Sequence, residues 1–107
     1  MECCNNTFDK YYVGTDLKFA IDITAEGFDM FNDNYSIELV CGNKRVEVPK
    51  SSIVDGGGNY YLLVDTTQFP PGTLRMIVYA DVPDADFSTG VRREVEAVDL
   101  CIIRRTY

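Results

Sequence analysis

A chain of 107 residues has room for one domain and one core, and its 10 Lys and Arg against 17 Asp and Glu leave a formal charge of −7. A field of that sign repels phosphate backbones and argues against nucleic acid as a partner. The chain has no histidine, which removes the commonest general base and the commonest metal ligand, so no enzyme, catalytic residue or cofactor is expected.

The opening residues, Met1-Glu2-Cys3-Cys4-Asn5-Asn6, make neither a basic nor an apolar targeting segment, so no secretory signal is expected there. No apolar run approaches a membrane span. The cysteines are Cys3, Cys4, Cys41 and Cys101. They form no Cys-x-x-Cys knuckle for zinc, and a disulfide between adjacent residues is strained. Free thiols in a protein made in a reducing cytoplasm are the expectation, with Cys41 and Cys101 as small buried hydrophobes.

Taken in chain order, the pattern is nearly all β. A short edge strand is expected over residues 8–13. Leu17, Phe19, Ile21 and Ile23 then alternate with Lys18, Ala20 and Asp22, the two-residue period of a half-buried strand. Residues 24–34 read as a polar loop that nonetheless holds Phe28, Met30 and Phe31. Tyr35, Ile37 and Leu39 begin the next strand, residues 41–44 a tight hairpin, and residues 45–48 the return, ended by Pro49, which cannot donate to a ladder. Asp55-Gly56-Gly57-Gly58-Asn59 is a turn. Residues 60–65 are apolar on both faces and suggest a central strand, while residues 73–81 and 91–103 complete the set around an acidic loop. About seven short strands joined by Gly, Pro and Asp turns predict one antiparallel immunoglobulin-like β-sandwich, with a small β-barrel as the alternative. The domain is expected to fill residues 1–107, with an N-terminal arm of about 1–7 and a C-terminal tail of about 104–107.

If successive strands run antiparallel, residues 24–34, 49–59 and 82–90 gather at one end. That end carries Glu26, Asp29, Asp33, Asp55, Asp81, Asp84 and Asp86 against Lys50 alone, while the other carries Lys44, Arg45, Arg104 and Arg105. Such a dipolar module suits oriented docking. Asp81, Asp84 and Asp86, facing Asp29 and Asp33, are candidate calcium ligands by oxygen count, although their spacing fits no EF-hand and Asp is also an ordinary turn residue. Phe28, Met30, Phe31 and Phe87 either plug the end of the sandwich or await a partner. The candidate partner-binding set is therefore Phe28, Met30, Phe31, Asp84, Asp86, Phe87, Arg104, Arg105 and Tyr107. Residues 8–13 and 104–107 are expected to reach out and join neighbours by strand addition.

Three runs carry a resemblance: Val13-Gly14-Thr15-Asp16-Leu17-Lys18-Phe19, Pro71-Gly72-Thr73-Leu74, and Val82-Pro83-Asp84-Ala85-Asp86-Phe87 with Gly90-Val91-Arg92 and Glu94. Together they resemble small virion proteins of tailed phages and prophages of Bacteroides-like bacteria. More loosely, they are similar to the immunoglobulin-like N-terminal domain of phage baseplate upper proteins. The resemblance implies a non-enzymatic virion component made in the host cytoplasm, a capsid auxiliary or decoration protein above all. A tail, neck or head-fibre component is the alternative. Its partners would be other virion proteins or copies of itself, with no nucleic acid and no membrane.

Two rival readings come from other classes. A carbohydrate-binding or adhesin module would need an aromatic platform from Tyr11, Tyr12, Tyr60, Tyr61 and Tyr79. A hydrolase would have to be built on the aspartates without histidine.

Overall fold

The computed structural model describes residues 9–105. Among these residues eight strands form: β1 (Lys10–Tyr12), β2 (Asp16–Ile21), β3 (Tyr35–Cys41), β4 (Lys44–Pro49), β5 (Val54–Asp55), β6 (Tyr60–Asp65), β7 (Gly72–Pro83) and β8 (Val91–Arg104). They pair into a five-stranded sheet of order β1-β8-β7-β3-β4 and a three-stranded sheet of order β2-β6-β5. The sheets share no ladder, so the barrel alternative falls and the β-sandwich stands.

Side-chain alternation decides which face is buried. β2 turns Leu17, Phe19 and Ile21 inward and Asp16, Lys18 and Ala20 outward. β3 buries Tyr35, Ile37, Leu39 and Cys41, and β7 buries Leu74, Met76, Val78, Ala80 and Val82. Leu62 and Val64 of β6 meet them from the second sheet, and Met30 and Phe69 join the same core from connecting segments. The β3–β4 connection is the two residues Gly42-Asn43, with Gly42 at φ 60°, a conformation a Cβ makes costly. Pro49 is tolerated because β4 is an edge strand.

The β7–β8 register slips where Leu74 faces Cys101 and Arg75 faces Asp99, leaving Leu100 as an extra residue. This bulge allows consecutive residues, Leu100 and Cys101, to be buried together, which strict alternation forbids.

Three details differ from the sequence expectation. First, β1 pairs with β8 in parallel, Lys10 beside Ile102 and Tyr12 beside Arg104. Residues 13–15 carry the chain to the other sheet at once, so β1 lies on β8 rather than on its sequence neighbour. The segment expected to reach outward is thus laid down within the molecule, its pairing closed by Val13 N–H to the Arg104 carbonyl at 2.7 Å and Ile102 N–H to the Asp9 carbonyl at 2.9 Å. Second, β6 is central in its sheet, but that sheet has only three strands and its outer face is open, leaving Leu63 54 % exposed. Third, the expected loop over 49–59 contains a 3-10 turn, Lys50–Ser52, and the short strand β5.

Cys41 and Cys101 are both fully buried, and burial pushes the Cys41 thiol above its ordinary value. With Cys3 and Cys4 replaced by serine, the folded protein is expected to resist a bulky maleimide and to label at two sites once unfolded. Rapid labelling of the folded protein would show that the core opens around them.

Candidate functional site

The three longest connections do gather at one end of the sandwich. The Asn34 carbonyl accepts Asp81 N–H at 3.0 Å, joining the β2–β3 loop to β7. Lys50, just after β4, donates its Nζ to the carbonyls of Phe31 at 2.9 Å and Asp33 at 2.6 Å. It also lies 5.6 Å from the Tyr35 ring centroid. One cation therefore fastens the loop to the neighbouring connection.

Within that loop the acidic residues act on their own backbone. Asp29 accepts Phe31 N–H at 2.9 Å and the Asn32 amide at 2.6 Å, and Asp33 accepts Asp29 N–H at 2.8 Å. The result is a fixed turn that sorts its three apolar side chains. Phe28 packs edge-on against Tyr35, with centroids 6.3 Å apart, and Met30 is buried. Phe31 stands 68 % exposed. Met30 is a plug with little surface to offer a partner, Phe28 is half-buried against the core and also lines a surface cleft, and Phe31 stands clear of both.

The β7–β8 hairpin extends past the point where β3 begins. Tyr35 pairs with Ala80, whereas the β7–β8 ladder continues to Pro83 opposite Val91. Its loop is closed by Asp84 N–H to the Gly90 carbonyl and Gly90 N–H to the Phe87 carbonyl, at 3.0 and 2.8 Å. One Asp84 oxygen accepts Asp86 N–H at 3.0 Å and the other is paired with Arg92. Arg93 reaches Asp81 at 3.5 Å. Phe87 sits in this braced loop, 47 % exposed.

The acidic end is therefore not opposed by Lys50 alone, because Arg92 and Arg93 answer it from β8. Sequence reading placed both on a strand and missed them as braces. The signal lay in their position: the first residues after a turn-closing glycine face the last residues of the strand before it.

The Asp84 carboxyl is held below its ordinary value, first by the Asp86 N–H and then by Arg92. A carboxylate whose folded value is depressed contributes order that is complete above the ordinary value and lost as pH falls through the lowered one. Asp84 is therefore expected to titrate by NMR below the ~3.9 of an unperturbed aspartate, with the loop amides moving only in that lower range. A midpoint at or above the ordinary value would show that the brace does not persist in solution.

The five calcium candidates do not converge. Asp29 and Asp33 serve the β2–β3 turn, while Asp81 and Asp84 pair with arginines. Among the described residues no three His, Cys, Asp or Glu side chains gather where one ion could touch them. At the opposite end, Arg45 pairs with Glu38 at 2.8 Å, while Arg104 and Arg105 are exposed. Tyr107 lies outside the described residues. The tyrosines form no single platform: Tyr11 and Tyr12 are on β1, Tyr60 and Tyr61 on β6, and Tyr79 on β7, where its hydroxyl donates to Glu38 at 3.3 Å.

Sequence reading also missed a cleft of about 790 Å³ between the start of the β2–β3 loop and the turn before β6. Asp22, Glu26, Asp29 and Tyr60 line it. Burial there, with Asp55 and Asp29 nearby, pushes the Tyr60 phenol above its ordinary value. The chain matches no protein-family model, no curated protein and no solved structure.

Proposed function

We propose that this protein is a non-enzymatic interaction module, a capsid auxiliary protein of a tailed-phage particle, that docks through the loop end of its sandwich. The observation that carries the docking reading is the pair Phe31 and Phe87. Both are large apolar side chains left exposed on loops whose backbones are tied by several hydrogen bonds. A side chain held out on a braced loop has less ordering entropy to lose on binding than one on a loose loop, and aromatic anchors dominate such contacts. The virion assignment rests on the sequence resemblance and on a composition suited to the cytoplasm. The absence of histidine and the use of the aspartates as turn caps and arginine partners support a non-enzymatic role.

Two measurements test this reading. Particles purified from a lysate should carry the chain at a fixed ratio to the major capsid protein by mass spectrometry. A low ratio would point instead to the tail or neck, and recovery only in the soluble fraction would sink the virion assignment. The double variant Phe31→Ser/Phe87→Ser is expected to melt within a few degrees of the parent, because both side chains are exposed, and to bind particles at least about tenfold more weakly, as loss of two anchors implies. Unchanged attachment would remove the loop end from the interface.

A further inference from the structure

β1 pairs with the outer edge of β8 from Ile102 to Arg104. Among the described residues nothing pairs with residues 91–99 on the side away from β7. Among the described residues this leaves roughly 30 Å of edge at the usual strand rise, and an edge without a neighbouring strand presents backbone N–H and C=O groups ready for pairing. Beside it runs a groove of about 190 Å³ walled by Ile23, Ala25, Val78 and Ala80, with residues 94–96 of β8 along its edge. Ile23 belongs to the segment after β2 that has already left its ladder.

The register says which way the edge side chains face. Glu94 lies opposite Ala80 and Glu96 opposite Val78, both inward residues, so the two carboxylates stand on the groove side. Val95 and Ala97 lie opposite Tyr79 and Ile77 and form the outward row, with Val95 59 % exposed. Glu96 has no cationic partner among the described residues, and Glu94 has only Arg92 at 3.4 Å.

We propose that this edge takes one extended segment of a partner protein in which basic and apolar residues alternate, added as a strand beside β8. Its basic side chains would lay their aliphatic stems along Ile23, Val78 and Ala80 and bring their charges to Glu94 and Glu96, as long cationic side chains do on apolar ground. Its apolar residues would fall on the other face, over Val95 and Ala97. Charges on an edge normally ward off stray strands. Here the ward is selective, since two carboxylates repel an acidic segment and attract a basic one. Main-chain pairing supplies affinity, and the alternate side chains supply specificity.

This proposal rests on reading the protein as an interaction module, and its test uses the isolated full chain without particles. A blocked heptapeptide of alternating lysine and valine, titrated against the labelled protein, should shift the amides of residues 92–98 and slow their hydrogen exchange. The same peptide with glutamate for lysine should do neither. Glu94→Gln/Glu96→Gln should weaken the lysine peptide about fivefold at low salt, the size expected for two exposed ion pairs, while Phe31→Ser/Phe87→Ser should leave its binding unchanged. No binding of the lysine peptide at millimolar concentration, equal binding of both peptides, or shifts confined to the Asp22–Glu26–Tyr60 cleft would each overturn it. So would peptide-free dimers protecting the same amides, which would make a second copy the occupant. A chain that binds the lysine peptide yet is missing from particles supports this edge and refutes the virion assignment; the reverse result refutes the edge alone.

Discussion

Ile37→Ala is expected to destabilise the protein by about 2–5 kcal/mol, the range for deleting a large aliphatic side chain from a closed core. Ile37 is 0 % exposed. It sits mid-strand in β3 with Val48 opposite on one side and Val78 on the other, and its side chain points at the second sheet. Both neighbours are pinned by ladders, so the layers cannot close over the space that is left. Domains of this size have about 5–15 kcal/mol in total, so the variant would keep little margin. Denaturant unfolding of both proteins, compared at equal slope, measures the loss. Leu63→Ala is the matched control: Leu63 is 54 % exposed on the outer face of β6, and its change is expected to stay within about 0.5 kcal/mol. Equal losses at the two positions would mean that the layers are not arranged as described.

Thr66→Val is expected to cost about 1–3 kcal/mol although it preserves shape and adds no volume to speak of. Thr66 is the one buried polar residue among the described residues, 0 % exposed in the 3-10 turn after β6. Its hydroxyl donates to the Thr15 carbonyl at 2.7 Å and accepts the Gly14 N–H at 2.9 Å. A valine would take the partner from both backbone groups in a part-buried place, and a polar group left unmet there costs part of its desolvation. The same hydroxyl ties the β1–β2 crossing to the turn that follows β6, so the Gly14 amide should also exchange faster. Thr66→Ser keeps the bonds, loses only a methyl and should fall well short of the valine variant. A valine variant as stable as the parent would show that water reaches these groups.

The strands were legible because each buried face repeats every second residue, and Leu17–Phe19–Ile21 or Tyr35–Ile37–Leu39 can be read in no other period. The loop ends followed from the strand count. The bulge at Leu100 was not legible, since two adjacent apolar residues also fit a strand buried on both faces. The parallel pairing of β1 was hidden as well, because three residues, Lys10–Tyr12, carry no signal of direction. At the candidate site, the presence of Phe31 and Phe87 on loops was readable, but the sorting of Phe28 and Met30 inward was not. That sorting depends on a turn built by Asp29 and Asp33 and on Lys50, 17 residues past Asp33 and 19 past Phe31, which donates to carbonyls that any residue would present. The β8 edge escaped notice for a related reason. An edge is defined by what fails to pair with it, and only the assembled sheet reveals that.

The parallel pairing of β1 with β8 also sets how the module carries tension. A pull applied at Asp9 and at Arg105 drives β1 and β8 past each other along their length. The bonds joining Asp9 to Ile102 and Val13 to Arg104 are then loaded together rather than one after another. A hairpin pulled open at its mouth breaks bond by bond at low force, whereas strands sheared lengthwise must lose their bonds at once. The rate of forced unfolding is set by that barrier. A domain strung between two attachment points at these residues would act as a stiff link, and its weak direction would lie across the sheet rather than along it.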